Sequence, residues 1–244
     1  MDKIRAYKLT RPDGFDFYTG KTINYGANIG GVVAPPNPDA KSRLCSSGII
    51  HASINPNDCF IGANIPCRAF LVEGVPVAGD KQKHGFTELS ILEEIIDLDK
   101  LFGWKYSEAS NPINPLLIPA HKVTKKDIES LKRWDSVRAS IWDSVRASVG
   151  ASVGATVGYS VWDSVWASVR ASVGASVGAT VGAYTGSLFP NITDWKYASK
   201  GINGYPYQPV VDLWKRGFIG SFDGKIWRLH SGKDAKIVWE GDLN

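Results

Sequence analysis

The stretch ASVGASVGATVG occupies residues 147–158 and returns letter for letter at residues 171–182. Both copies belong to thirteen consecutive tetrads that run from Asp135 to Gly186. The second position of the tetrad is Ser or Thr in twelve of them, the third is Val or Ile in twelve, and the fourth is only Gly, Trp or Arg. The way in which a chain accommodates a period of four therefore decides the fold of this segment.

In an α-helix, which has about 3.6 residues per turn, a strict period of four rotates the Val stripe by about 40° per tetrad. In extended structure, where side chains alternate with a period of two, positions one and three share one face in every tetrad. The pattern therefore favours a β-solenoid in which Ala and Val fill a narrow interior. A long helix or a helical bundle with close Gly contacts is the alternative.

Around this segment the sequence predicts an α+β head domain and a small α+β C-terminal cap. IRAYKLT, GIIHASI and RAFLVEGVPV are typical of strands, whereas LSILEEIIDLDKLFGW fits either a short helix or a strand followed by a helix. Thr124 and Asp127 predict a capping box at a helix start. The predicted organisation is a head domain over residues 1–108, a Pro-rich linker over 109–123, a capping helix over 124–134, the tetrad repeat over 135–186 and a cap over 187–244.

The composition excludes several classes of protein. The formal net charge is +4, and the 28 basic residues are scattered along the chain, so nucleic-acid binding is not predicted. The repeat has too few large apolar residues for a membrane-spanning helix. The first residues, MDKIRAYKLTRPDG, lack the apolar core of a signal peptide. The expected location is the cytoplasm.

Cys45, Cys59 and Cys67 form an odd set without a CxxC pair. Such cysteines are expected to be reduced thiols of a cytosolic protein. A zinc site that combines them with His51 or His84 would match no established ligand spacing. Neither a metal site nor a cofactor is therefore predicted.

Several stretches resemble a group of phage, prophage and metagenome proteins. The resemblance lies in LCSSGIIHAS, in RAFLVEGVPVAGDKQKHGFTELSILEEI, in the DSVW and ASVG tetrads, and in the ending YPYQPVVDLWKRGFIGSFDGKIWRLHSGKDAKIVWEG. It covers most of the chain. The resemblance implies a mobile-element context within a host cell, and it supplies no catalytic residues.

Polar residues of the head domain are the candidates for chemistry. The strand-borne His51 and the later Glu88 resemble ADP-ribosyltransferase folds, in which a polar group orients the nicotinamide ribose and a Glu stabilises the developing cation. These two residues are the catalytic candidates. The basic loop GDKQKHG at residues 79–85 can hold a phosphate through ammonium and backbone N–H groups, or is a solvated hairpin. The predicted ligand-binding residues are Arg68, Lys81, Lys83 and His84.

The fourth positions of the tetrads predict an interaction surface. Trp and Arg are the residues most often found at binding hot spots, so this surface indicates a protein partner or self-association into a homo-oligomer. The structural alternative is that the tryptophans pack against the flanking domains. The predicted surface consists of Trp142, Trp162, Trp166, Arg138, Arg146 and Arg170.

No P-loop, HExxH, dinucleotide-binding or EF-hand motif occurs. The sequence therefore favours a non-enzymatic binding protein that acts against host defence, by binding a host protein or by sequestering a small anionic, nucleotide-like signal. One alternative is a nucleotide-using enzyme, similar to an ADP-ribosyltransferase, in the head domain. The other is a structural or assembly scaffold.

Overall fold

The computed structural model describes residues 2–119, 121–169, 177–198 and 204–243. The chain divides into two compact units, residues 1–103 and residues 104–244. In the described ranges, no helix combines the length and the apolar character needed to cross a membrane.

The first unit contains seven described strands and one short helix, α1, at Leu98–Phe102. The strands are β1 Ile4–Thr10, β2 Val32–Val33, β3 Ile50–Ala52, β4 Arg68–Gly74, β5 Pro76–Gly79, β6 His84–Phe86 and β7 Leu89–Ile95. They form a four-stranded antiparallel sheet of order β1–β4–β7–β2 and a three-stranded antiparallel sheet of order β3–β6–β5. A bridge between Tyr7 and Ser53 joins β1 to the end of β3.

The inner face of β1 is decided by the alternation of its side chains. Ile4, Ala6 and Lys8 share one face, and the register places Ala6 opposite Val72 and Lys8 opposite Phe70. Phe70 and Val72 are fully buried in the core of this unit. Lys8 is therefore the one charged residue that β1 places on its core-facing side.

The predicted strands of the head are confirmed, with one change of topology. RAFLVEGVPV forms two strands, because the chain leaves the first sheet at Gly74 and enters the second at Pro76. The ambiguous stretch at residues 89–101 is a strand followed by a helix, the second of the two predicted alternatives. Asp97 caps this helix by accepting a hydrogen bond from the Lys100 N–H at 3.0 Å.

The second unit is mainly helical. Its described helices are α2 Tyr106–Ser110, α3 Lys125–Val137, α4 Ile141–Val153, α5 Ala155–Val169, α6 Gly178–Ser187 and α7 Gln208–Lys215. Its sheet has the order β10–β9–β8, with β8 at Ile219–Phe222, β9 at Trp227–Ser231 and β10 at Lys236–Gly241. The predicted capping box is present: Asp127 N–H donates to Thr124 Oγ1 at 3.4 Å and Thr124 N–H to Asp127 Oδ2 at 2.8 Å.

The predicted β-solenoid is wrong. Within the described part of the repeat, residues 135–169 and 177–186, the chain forms the end of α3, a 3-10 turn at Arg138–Ser140, and helices α4, α5 and α6. None of the described sheets lies in the repeat. Helices α4, α5 and α6 pack against one another, so the repeat follows the helical alternative.

Short helices solve the problem that a period of four creates. Each of α4 and α5 carries four third-position residues, over which the apolar stripe turns by about 120°, close to the width of one core-facing side. Gly154, at φ +97° and ψ 143°, ends α4 and lets α5 begin with its own stripe facing inward. The buried third-position residues are Ile141, Val145, Val149 and Val153 in α4 and Val157, Val161, Val165 and Val169 in α5.

The fourth-position glycines let these helices approach closely. A Cβ on Gly158 would lie 3.1 Å from Val149 Cγ1, and one on Gly178 would lie 3.3 Å from Trp142 Cζ2. Some of the second-position serines return their hydroxyl to a carbonyl three residues earlier, as Ser168 does to Val165 at 2.7 Å. This local bond satisfies a polar side chain without a partner from another element.

Candidate functional site

A cavity of about 780 Å³ lies within the first unit, and we call it the head cavity. Its size falls in the range of about 300–1,000 Å³ that is usual for small-molecule sites. Strands β1 and β3, the loop at residues 16–25, the 3-10 helix Pro56–Ile61 and the β5–β6 turn contribute to its walls. Buried apolar side chains make up much of the surface, among them Leu9, Ile23, Ile49, Ile50, Ala52 and Ala63.

Lys8 lines the head cavity from the inner face of β1. Its Nζ lies 5.2 Å from the centroid of the Tyr25 ring, and it forms no ion pair with any described residue. Burial lowers the pKa of Lys8, and the charge of nearby Asp16 opposes this without cancelling it. A buried ammonium without a paired carboxylate is costly for a protein to keep.

Tyr25 forms another part of the wall. The side chain is fully buried, and its hydroxyl has no hydrogen-bond partner among the described residues. Burial, assisted by the charge of Asp16, raises the pKa of Tyr25, so the phenol keeps its proton and can donate. Leaving such a group unpaired costs about 1–3 kcal/mol. Protein atoms enclose the hydroxyl oxygen in this structure, so an acceptor atom on a ligand would reach it by displacing a neighbouring side chain.

The charge of Asp16 affects the pKa of both Lys8 and Tyr25. Both of its carboxylate oxygens accept hydrogen bonds from Thr19. Its Oδ1 accepts the Thr19 N–H at 2.8 Å and its Oδ2 accepts the Thr19 hydroxyl at 2.6 Å. These bonds fix the loop that follows β1. The charge of Asp16 still acts on Lys8, although the two groups form no ion pair.

His51 reaches the head cavity from β3, as a neutral imidazole. Its Nε2 accepts the Cys45 backbone N–H at 3.0 Å, so the ring proton resides on Nδ1. Burial lowers the pKa of His51 to about 4, with further contributions from the charges of Lys8 and Lys83, while Asp80 opposes them. At neutral pH this ring therefore adds no positive charge to the cavity.

Lys83 stands on the β5–β6 turn, which Asp80 shapes. Asp80 Oδ1 accepts the N–H groups of Gln82 and Lys83, each at 2.8 Å. The Lys83 ammonium then donates to Cys45 Sγ at 2.9 Å. Cys45 has φ +66°, a left-handed conformation that a non-glycine residue seldom adopts. Backbone strain from a positive φ at a non-glycine residue is more frequent at functional sites than elsewhere.

The structure divides the predicted site residues of the head. His51 and Lys83 line the head cavity. Glu88 is exposed and is not among the lining residues, so the two catalytic candidates do not share this cavity. Lys81 lies exposed on the turn and His84 is half-buried in β6, both outside the lining.

Arg68 has a structural role. Its guanidinium forms two hydrogen bonds to the Glu94 carboxylate, at 2.7 and 2.6 Å, and lies 5.2 Å from the centroid of the Phe70 ring. Glycine at positions 14 and 26 leaves room for it, since a Cβ on Gly26 would lie within 3.0 Å of the guanidinium. Arg68 is thus held away from the head cavity.

The predicted surface of the repeat contains an aromatic cluster. The Trp162 and Trp166 rings stack with centroids 5.5 Å apart, and Trp142 lies 6.0 Å from Trp162 and is 47% exposed. Arg138 instead pairs with Asp135 at 2.8 Å and lies over the rings of Phe222 and Trp227, within the second unit. Arg146 is exposed, and Arg170 lies outside the described residues.

Sequence reasoning missed the residues that distinguish the head cavity, namely Lys8, Asp16 and Tyr25. One signal was available, because Lys8 occupies the same strand parity as Ile4 and Ala6 in IRAYKLT. A charge at an inward position of a strand is a departure from the alternation rule. Tyr25 and Asp16 stand in a loop and carry no comparable signal.

The described residues hold no cluster of His, Cys, Asp and Glu that could bind a metal ion. Comparison of the chain with protein-family models, with curated proteins and with solved structures gives no match.

Proposed function

We propose that this chain is a non-enzymatic binding protein that sequesters a small anionic molecule in the head cavity. The observation that carries the proposal is the Lys8 amino group, which lines a cavity of ligand size and forms no ion pair with a described residue. A protein can keep an uncompensated buried charge when its counter-charge arrives with a ligand.

Two further features support an organic anion. The cavity wall is rich in apolar side chains, which favours a ligand with a substantial apolar or aromatic part. Lys83 provides a second ammonium on the same lining. A nucleotide-like signal combines these properties, and the resemblance to phage and prophage proteins suggests a host defence signal as the molecule withheld.

The enzymatic alternative has less support. His51 uses its Nε2 to accept the Cys45 N–H, so the ring has no free lone pair with which to act as a base. Glu88 does not line the head cavity. The pairing that motivated an ADP-ribosyltransferase-like reaction is therefore missing from this site.

Native mass spectrometry of the full chain tests the proposal. The protein is incubated with a small-molecule extract of phage-infected cells, purified and then denatured to release what it carries. Gly62→Trp is the blocking variant, because Gly62 lines the cavity and a Cβ there would meet nothing within 4 Å. Val75→Trp is the matched control, since Val75 is 40% exposed and outside the lining.

The proposal expects one small anion on the wild-type chain and on Val75→Trp, released unchanged, and its loss from Gly62→Trp. A ligand retained by Gly62→Trp would place binding elsewhere. Release of a chemically altered molecule would favour an enzyme. An empty wild-type chain would contradict sequestration.

A further inference from the structure

We infer that Lys8 and Tyr25 form an oxyanion subsite, in which one carboxylate or phosphate group of the ligand accepts hydrogen bonds from the Lys8 ammonium and the Tyr25 hydroxyl. This inference rests on the proposed function and assigns part of the ligand's chemistry to two named residues. Neither residue belongs to a sequence motif for anion binding.

Strand β1 places Lys8 on its core-facing side. β1 holds it opposite the fully buried Phe70, so its side chain starts on the core-facing side of the sheet. The ammonium reaches the face of the Tyr25 ring, at 5.2 Å from the centroid. A cation–π contact stabilises an ammonium but leaves its N–H donors unsatisfied.

The Tyr25 hydroxyl is a buried donor without a hydrogen-bond partner among the described residues. The described residues offer it no acceptor, although its backbone N–H is satisfied by the Gly14 carbonyl at 2.8 Å. The Tyr25 hydroxyl and the Lys8 amino group both offer hydrogen-bond donors to a ligand. An oxyanion is the group whose lone pairs match both.

None of the other ionisable groups that line the cavity forms an ion pair with Lys8. Asp16 is bound by Thr19, and the Cys59 thiol donates to the Tyr7 carbonyl at 3.1 Å, with a pKa raised by burial. His51 is neutral at pH 7, since its pKa is about 4. The ionisable side chains that line the cavity with Lys8 are Asp16, Tyr18, Tyr25, Cys45, His51, Asp58, Cys59 and Lys83.

Isothermal titration calorimetry with benzoate and benzamide tests the subsite. The two probes have nearly the same shape and differ in charge. Wild-type protein should bind benzoate at least about tenfold more tightly than benzamide, which corresponds to one charge-assisted hydrogen bond. Lys8→Met should abolish this preference, Lys8→Arg should retain it, and Tyr25→Phe should weaken benzoate by about three- to tenfold.

Lys100→Met is the matched control, because Lys100 is an exposed lysine of the same unit outside the cavity lining; it should leave both affinities unchanged. If wild-type protein binds both probes equally and Gly62→Trp excludes both, the cavity binds small molecules but the subsite is wrong. If Gly62→Trp leaves benzoate binding intact, the proposed function fails together with the subsite. Retention of the benzoate preference by Lys8→Met would overturn the inference alone.

Discussion

Lys8 and Phe70 face each other across the β1–β4 pair, one charged and one fully buried. A core-facing strand position would be filled more stably by an apolar residue. The lysine therefore destabilises the folded state, and we propose that it is kept for ligand binding. A substitution at position 8 should therefore change the free energy of unfolding and the affinity for anions in opposite directions.

We expect Lys8→Met to stabilise the ligand-free protein while removing the preference for anions. Removal of a buried charge should raise the free energy of unfolding by about 0.5–2 kcal/mol at pH 7. Urea denaturation followed by the NMR signals of the first unit measures it, because all nine tryptophans belong to the second unit. A destabilised variant would show that Lys8 has a structural role.

The same variant has a predicted pH dependence. Because the folded-state pKa of Lys8 is lowered from 10.5, the cost of its charge is fully present below that lowered pKa and disappears as the pH rises towards 10.5. The stability advantage of Lys8→Met should therefore shrink with rising pH. Denaturation curves at several alkaline pH values check this, and an advantage that grows with pH would contradict it.

His51 should make the protein less stable in mild acid. Its pKa is about 4 in the folded state and 6.5 ordinarily, so between these values the unfolded chain binds the proton and the folded chain does not. Stability contributed by the neutral ring is complete above pH 6.5 and is lost as the pH falls towards 4. His51→Gln, which keeps an acceptor for the Cys45 N–H, should flatten this part of the profile.

The ring itself can be observed directly. Long-range ¹H–¹⁵N correlation spectra should show an unprotonated Nε2 at pH 7 and the proton on Nδ1, unchanged down to about pH 5. A doubly protonated ring at pH 6 would contradict the assigned environment.

Two glycines of the repeat should respond oppositely to the same substitution. Gly154→Ala forces a side chain into a backbone conformation with φ +97° and should cost about 1–3 kcal/mol. Gly150→Ala lies within α4, where a Cβ meets only ordinary contacts at 3.9 Å, and should gain up to about 1 kcal/mol. Thermal unfolding monitored by far-UV circular dichroism compares the pair, and equal shifts would argue against the helix break at Gly154.

Arg68→Lys should reduce stability without changing ligand affinity. A lysine cannot reproduce the two parallel hydrogen bonds to Glu94, so a loss of about 1–2 kcal/mol is expected. Arg5→Lys is the control, because Arg5 is 70% exposed in its side chain and lies 3.6 Å from Glu73; its effect should stay within about 0.5 kcal/mol. A selective loss of benzoate binding by Arg68→Lys would restore the predicted ligand-binding role.

Local patterns predicted much of the fold outside the repeat. The strand at Ile4–Thr10 follows from alternation, and the helix start at Thr124 follows from its capping box. The β-solenoid prediction for the repeat is wrong because it considers the drift of a period of four only over one long helix. Gly154 interrupts the stripe after about 120°, and such a break cannot be distinguished by sequence from the other glycines of the same tetrad position.

The candidate site was less predictable, because its residues meet only in three dimensions. Polar residue type was enough to select His51 and Lys83. Lys8 could have been found from its strand parity, whereas the unpaired hydroxyl of Tyr25 is a property of the packed core. Residue type alone also predicts a catalytic role for Glu88 and a ligand-binding role for Arg68, and neither residue lines the cavity.

A crystal structure of the full chain with bound benzoate tests the central claim most directly. The account predicts a carboxylate oxygen within about 2.7–3.2 Å of both Lys8 Nζ and Tyr25 Oη, with the aromatic ring against the apolar wall of the head cavity. Benzoate bound elsewhere, or in the cavity with its carboxylate directed away from Lys8, would contradict it.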